Sequence, residues 1–150
     1  MAKIIQAFNG IFRWLSNFSS VNVVLDGITY PSVENAYQAA KTLNLQQRAW
    51  FLACSPLKAK QLGKAVELRE DWLDVRLDVM ADLCQQKYEQ EPYRRMLLNT
   101  GDAEIQEGNY WNDTFWGICR GQGHNHLGLI IMQIRAKLRE EEVRAKEETL

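Results

Sequence analysis

The sequence predicts a mainly α-helical protein, a single-domain fold with a small N-terminal β-hairpin and one or two short extra strands. Three observations predict it. Two long stretches, Trp72 to about Gln90 and Leu127 to Leu138, carry apolar residues at helical spacing. The clearest strand signal is the run Val21 to Tyr30, where Asp26-Gly27 sits between β-branched residues as a hairpin turn. Strand signals are also too few and too early for a doubly wound sheet, which needs strands alternating with helices.

In chain order, Lys3 to Phe8 reads as a first strand, and the hairpin follows. Ser32 is placed to cap a helix reaching about Asn44, and a second helix covers about Leu45 to Ala53. Ser55-Pro56 opens a third, with Ser as cap and Pro in the first turn, and Gly63 ends it. Asp71 is expected to cap the helix that begins at Trp72. Its apolar face is wide, with Trp72, Val75, Val79 and Leu83 on one stripe and Leu73, Leu77, Met80, Cys84 and Tyr88 on the next, so burial on more than one side is expected. Pro92 starts a short helix to about Asn99, Thr100-Gly101-Asp102 turns the chain, and Ala103 to Glu107 is read as extended. The last helix has Leu127, Ile130, Ile131, Ile134 and Leu138 on its inner stripe. The domain is read as residues 1–138, with 139–150 a charged helix end or tail that frays.

Composition narrows the class. The 150 residues are 46% hydrophobic and 25% charged, enough for one domain with a real core. A net charge of −1 provides no global field toward nucleic acid or anionic membrane. No stretch has the length and apolarity of a membrane span or a signal peptide, so no membrane partner is expected. Cys54, Cys84 and Cys119 are odd in number and widely spaced, which reads as reduced thiols in a cytoplasmic protein.

Four constellations carry possible chemistry. The stretch WNDTFWGICRGQGHNHLG, Trp111 to Gly128, combines the flat faces of Trp111, Phe115 and Trp116, the carboxylate of Asp113, and Gly117, Gly121, Gly123 and Gly128. It runs into a helix N-terminus, where free N–H groups and the macrodipole favour an anion. Stacking surface, acid and anion cradle suggest a nucleotide-like ligand; the plainer reading is an aromatic core loop with turn glycines. In Ser32 to Lys41, Glu34, Tyr37, Gln38 and Lys41 share one helical stripe opposite Val33, Ala36, Ala40 and Leu43. Such a polar stripe is usually the solvent face. Tyr37 is an odd choice for that, and Glu34 stands in the first turn, where its ionised form is favoured. Among the arginines Arg69, Arg76, Arg120 and Arg135, Arg76 falls between Trp72, Val79, Met80 and Leu83, where a charge needs a partner or a ligand. The lysines of Ser55 to Lys64 make only a mild basic patch. His124 and His126, with Cys119 or Asp113, fall short of the three His-rich ligands a catalytic zinc usually takes, so no metal is expected.

At these residues the chain resembles the YbiA-like, or NADAR, family. The resemblance is carried by Phe12-x-x-Leu15-Ser16-Asn17-Phe18, Ser32-Val33-Glu34-x-x-Tyr37-Gln38-x-x-Lys41 and Leu68-Arg69-x-Asp71-Trp72. It continues through Lys87-Tyr88, Leu97-Leu98-x-Thr100, Asn112-Asp113-x-x-Trp116-Gly117, Gly123-x-Asn125-x-Leu127-Gly128 and Met132-x-x-Arg135. It implies a mainly α-helical N-glycosidase, a hydrolase acting on the bond between a ribosyl carbon and a base nitrogen. The substrates it implies are phosphorylated ribosylamino-pyrimidine intermediates of riboflavin synthesis, or ADP-ribose joined to guanine in nucleic acid. The family's glutamate, tryptophan and aspartate fall on Glu34, Trp72 and Asp113. The chain departs from the family pattern at Asn35, where a histidine is common, and at His124 and His126, where basic residues often flank the asparagine.

The expected mechanism gives Glu34 and Asp113 the two acid–base tasks of N-ribosyl hydrolysis, without deciding which does which. Lys41 would orient a carboxylate or hold a phosphate. Trp72 and Trp116 would stack on the base. Arg69, Arg120 and the N–H groups of Asn125 to Leu127 would bind phosphate. Asn17, Tyr37, Gln38, Arg76, Gly117, Gly123 and Asn125 complete the expected binding set, and no cofactor is required. A non-catalytic module that binds ADP-ribose or a nucleotide is the alternative, and nucleic-acid binding a third.

Overall fold

A computed structural model describes residues 3–149. They group into two compact units, one from Leu15 to Lys87 and the other from the N-terminal segment to Trp14 together with the chain from Tyr88 onward. Helices hold most of the regular structure, so the mainly α reading stands.

In the Leu15–Lys87 unit, strands β2 (Ser20–Leu25) and β3 (Ile28–Ser32) form the expected antiparallel hairpin. Asp26 and Gly27 both have positive φ, 49° and 81°, which is the backbone a two-residue hairpin turn with native twist requires. Val21, Val23 and Leu25 alternate inward along β2. Helix α1 (Val33–Ala40) starts at Ser32, whose Oγ accepts from the Asn35 N–H. It stops four residues short of the expected Asn44, because Asn44 caps the next helix, α2 (Leu45–Arg48), through Oδ1 and the N–H groups of Gln46 and Gln47. A 3₁₀ turn, Ala49–Phe51, completes that segment. Helix α3 (Pro56–Leu62) has Ser55 as cap and Pro56 in its first turn, and Gly63 ends it, all as expected.

Helix α4 (Trp72–Tyr88) begins where predicted, but the Asp71 carboxylate is bound to Arg69 rather than to the helix's N–H groups. Only part of its wide apolar face is covered. Trp72, Met80, Leu83, Cys84 and Tyr88 are buried, whereas Leu73 and Leu77 are exposed. Apolar periodicity shows which residues share a face and not whether anything covers it.

The second unit opens with β1 (Ile4–Ile5), shorter than the expected strand, and with a 3₁₀ helix, Gly10–Leu15, that sequence periodicity does not reveal and whose last residue belongs to the first unit. Helix α5 (Tyr93–Leu98) follows Pro92. Strand β4 (Glu104–Ile105) pairs in parallel with β1, and β5 (Gly108–Asn109) pairs in parallel with β6 (Ile118–Cys119). Among the described residues the short extra strands thus exceed the one or two expected. Helix α6 (His126–Glu148) buries Leu127, Ile130, Ile131, Ile134 and Leu138, the stripe predicted for it. The charged end read as fraying is helical to Glu148, and ion pairs tie it to its own unit: Arg94–Glu141, Arg95–Glu142 and Arg139–Asp102. No helix among the described residues is long and apolar enough to cross a membrane.

Candidate active site

Every residue of α1 is buried, so its polar stripe is not a solvent face. Glu34 is 8% exposed, Tyr37 6% and Gln38 5%. Two groups satisfy the first turn of this helix. Ser32 Oγ takes the Asn35 N–H, and the Asn17 carbonyl takes the Glu34 N–H at 3.1 Å. The Asn17 side chain turns toward α4, donating to Met80 Sδ at 3.5 Å. Asn35, the departure from the family pattern, is fully buried and donates to the carbonyls of Phe51 and Cys54, which locks that segment onto α1.

Within the stripe, Gln38 Nε2 donates to Glu34 Oε1 at 2.9 Å. One turn is the distance at which such side chains meet. The Tyr37 ring lies 5.1 Å from that of Trp72, tilted 57°, and Lys41 Nζ stands 5.8 Å from the Tyr37 centroid. Burial pulls the Lys41 amine below its ordinary range; the Glu34 carboxylate opposes that shift and Lys64 adds to it. A carboxylate, an amide, a cation and two aromatic rings are therefore gathered on one buried surface. Arg76 is half-buried, with Nε shielded from solvent, so its position on α4 is not that of a surface charge.

Arg69 is already engaged within its own unit. Its Nε and Nη2 grip Asp71 at 2.6 and 3.0 Å, its Nη1 reaches the Ala40 carbonyl, and its N–H donates to the Lys41 carbonyl. The hydrogen bond to Asp71 raises the arginine's pKa and lowers that of the carboxylate. The planar fork expected for phosphate holds a carboxylate here, and Arg69 fastens the C-terminal end of α1.

In the other unit, Asp113 Oδ1 accepts from the N–H groups of Phe115 and Trp116 at 3.1 and 2.9 Å, an Asx turn that shapes the loop. Asn109 bridges the same loop, accepting from the Asp113 N–H and donating to the Asp113 carbonyl. Trp116 packs edge-on against Phe115, and His126 lies 4.5 Å from the Phe115 ring and stacks with His124. Arg120 is exposed and donates to Asn112 Oδ1.

The anion cradle expected at the start of α6 is closed by the protein itself. The N–H groups of Asn125, His126 and Leu127 donate to the carbonyls of Gly117, Phe115 and Trp116. Asn125 is buried, and its side chain joins the Glu107 N–H to the Ile105 carbonyl as a structural clasp. Gly117 and Gly123 are likewise explained by packing: a Cβ at Gly117 would strike Glu107, and one at Gly123 would strike the Gly117 carbonyl. Their small size serves close backbone approach. Among the described residues no group of three or more His, Cys, Asp and Glu side chains is placed to hold a metal ion.

Sequence reading missed two residues of the Leu15–Lys87 unit. Gly63 was legible only as a helix end, yet it lies against Gln38. Lys87 is fully buried and donates to the Ser16 carbonyl at 2.9 Å, one residue before Asn17; the Lys87-Tyr88 pair was visible as a motif, but nothing local assigned it a task.

Comparison with known proteins places the chain in a family. The NADAR domain model matches residues 7–139. N-glycosidase YbiA of Escherichia coli is 34% identical over 128 residues, covering 82% of this chain and 79% of that protein. A riboflavin biosynthesis protein of Vibrio vulnificus is 34% identical over 139 residues, covering 85% of this chain but only 36% of that longer protein. The solution structure of E. coli YbiA superposes with a TM-score of 0.83 at 32% identity, covering 95% of this chain and 89% of that one. A match along nearly the whole chain in both sequence and backbone means that the protein belongs to the NADAR domain family.

Proposed function

We propose that the protein is an N-glycosidase, a hydrolase that cleaves the bond between a ribosyl carbon and a base nitrogen. The observation that carries this reading is the buried Glu34 carboxylate held by Gln38 beside Tyr37, Trp72 and Lys41. The relatives named N-glycosidases support it.

As the base leaves, positive charge builds on the sugar. A fixed carboxylate in a water-poor site stabilises that charge and activates the attacking water. Glu34 takes this role. Lys41 orients the carboxylate or holds a substrate phosphate, and Tyr37 and Trp72 supply the flat wall for a base. Asp113 is the candidate for the second acid–base task, and Arg76 and Arg120 are the remaining cations for phosphate. No metal or redox group is part of this reading.

The substrate class we favour is a phosphorylated ribosylamino-pyrimidine, in line with the riboflavin biosynthesis proteins among the relatives. We assign the catalytic domain to residues 1–138 and treat 139–150 as its charged helix end. Its three thiols are free, which fits a cytoplasmic setting.

The experiment that tests this is incubation with a ribosylamino-pyrimidine phosphate and, in parallel, with DNA bearing ADP-ribose on guanine. Release of ribose 5-phosphate in the first identifies a metabolite substrate; release of ADP-ribose in the second identifies a nucleic-acid substrate. Binding without release in either would overturn the enzymatic reading in favour of a binding module.

A further inference from the structure

We infer that Gly63 is a positioning residue for Glu34, acting through the side-chain amide of Gln38. The inference rests on the N-glycosidase reading for its activity readout, and on geometry alone for its structural one.

Glu34, ionised, offers only acceptors. Its Oε1 takes the Nε2 of Gln38, which orients the amide with Oε1 on the far side. That Oε1 is shielded from water and has no hydrogen-bond partner. A polar atom left in that position needs something to keep it there, because an amide with a free acceptor gains by turning toward any donor. The wall behind it is the Cα of Gly63. A Cβ built at Gly63 would overlap Gln38 Oε1 and come within 2.7 Å of Cδ. Gln38 is 5% exposed, so there is little room to retreat while keeping its bond to Glu34.

Backbone conformation does not explain the glycine. Gly63 has φ −59° and ψ −19°, which any residue adopts, and its N–H closes α3 on the Ala59 carbonyl at 2.9 Å. Alanine is a better helix former than glycine at such a position. The atoms a Cβ would displace belong to the far end of a flexible side chain, so the fold survives by letting the amide move. What is lost is the Gln38 hydrogen bond to Glu34. Gly63→Ala therefore separates catalysis from stability: the helix end is improved while the carboxylate loses its clamp.

The test is a double-mutant cycle of Gly63→Ala and Gln38→Ala, read as kcat and KM, with Glu34→Gln alongside and thermal melts for all. Gly63→Ala should lower kcat by about tenfold or more with KM little changed, the scale expected of a misplaced reacting group. Its fold should persist, because the gain from alanine at the helix end offsets part of the lost Gln38–Glu34 hydrogen bond. In the Gln38→Ala background the methyl group fits the vacated space, so adding Gly63→Ala should leave kcat unchanged. The Gln38 side-chain amide signals in a ¹⁵N–¹H spectrum should shift in Gly63→Ala, a readout independent of turnover. Wild-type kcat in Gly63→Ala, losses that multiply in the double variant, or unmoved amide signals would each overturn the inference. Full activity in Glu34→Gln would instead overturn the reading beneath it, and the amide signals would still decide whether Gly63 holds Gln38.

Discussion

Glu34 and Gln38 face each other across one turn of α1, with the amide nitrogen of one 2.9 Å from a carboxylate oxygen of the other. That relationship makes Glu34→Gln an unusually clean variant. The carbonyl of the new side chain can still accept the Gln38 hydrogen bond, and its shape is nearly that of the carboxylate. The helix, its Ser32 cap and the contact with Gln38 should all persist, so the melting temperature should change little. Turnover should fall by about a hundredfold or more, the range for loss of a positioned acid–base group. Assay of released base together with a thermal melt checks both halves; undiminished turnover would remove Glu34 from the reaction.

Asp113 invites a paired test because it holds a turn as well as a negative charge. Asp113→Asn keeps an oxygen for the Phe115 and Trp116 N–H groups and removes the charge. Asp113→Ala removes both. The first should lose activity without losing stability; the second should also destabilise by about 1–3 kcal/mol through the orphaned donors. Normal turnover in Asp113→Asn would confine this residue to shaping the loop.

Arg76 gives a further prediction. Its Nε is shielded and its side chain half-buried, beside Trp72 on α4. Arg76→Met preserves much of the packing volume and removes a permanent charge. Replacing a buried ionic group by an apolar one of similar size is often neutral or stabilising. The variant should therefore keep or gain stability and lose activity, as read from parallel melts and initial rates. A large loss of stability with full activity would make Arg76 a structural charge.

Most local signals of this chain were legible and the non-local ones were not. Ser32, Ser55-Pro56 and Asp26-Gly27 act within a few residues of themselves, and each does what its chemistry predicts. The polar stripe of α1 has the pattern of a solvent face, yet all of it is buried, because burial depends on what packs against it. The same holds for α6. Its first N–H groups look open to an anion in sequence, and only the return of Thr114 to Gly117 to that helix end fills them. One local signal failed: Asp71, expected to cap α4, is paired with Arg69 two residues away. Leu73 and Leu77 stand exposed on a helix whose periodicity marks them as core.

Lys87 makes a prediction that needs no substrate. Its amine is fully buried, donates to the Ser16 carbonyl, and has its pKa lowered from 10.5 to about 7, chiefly by burial, with the Cys84 thiol opposing. Between about pH 7 and 10.5 the unfolded chain therefore carries a proton on this lysine that the folded chain has shed. Stability must rise with pH across that window and fall as pH drops toward 7. Cys84 acts in the opposite sense, since burial raises its pKa from 9.0 to about 12: its contribution is complete below 9 and fades above it. The interval from pH 7 to 9 isolates the lysine. There the wild type should gain up to about 1.4 kcal/mol per pH unit from this one group. Lys87→Met cannot titrate, so its stability should climb less steeply with pH across this interval. Other titrating groups, Lys41 included, are common to both proteins and cancel in the difference. Urea midpoints measured at several pH values supply that difference, and parallel slopes for the two proteins would show that Lys87 keeps its proton in the folded state.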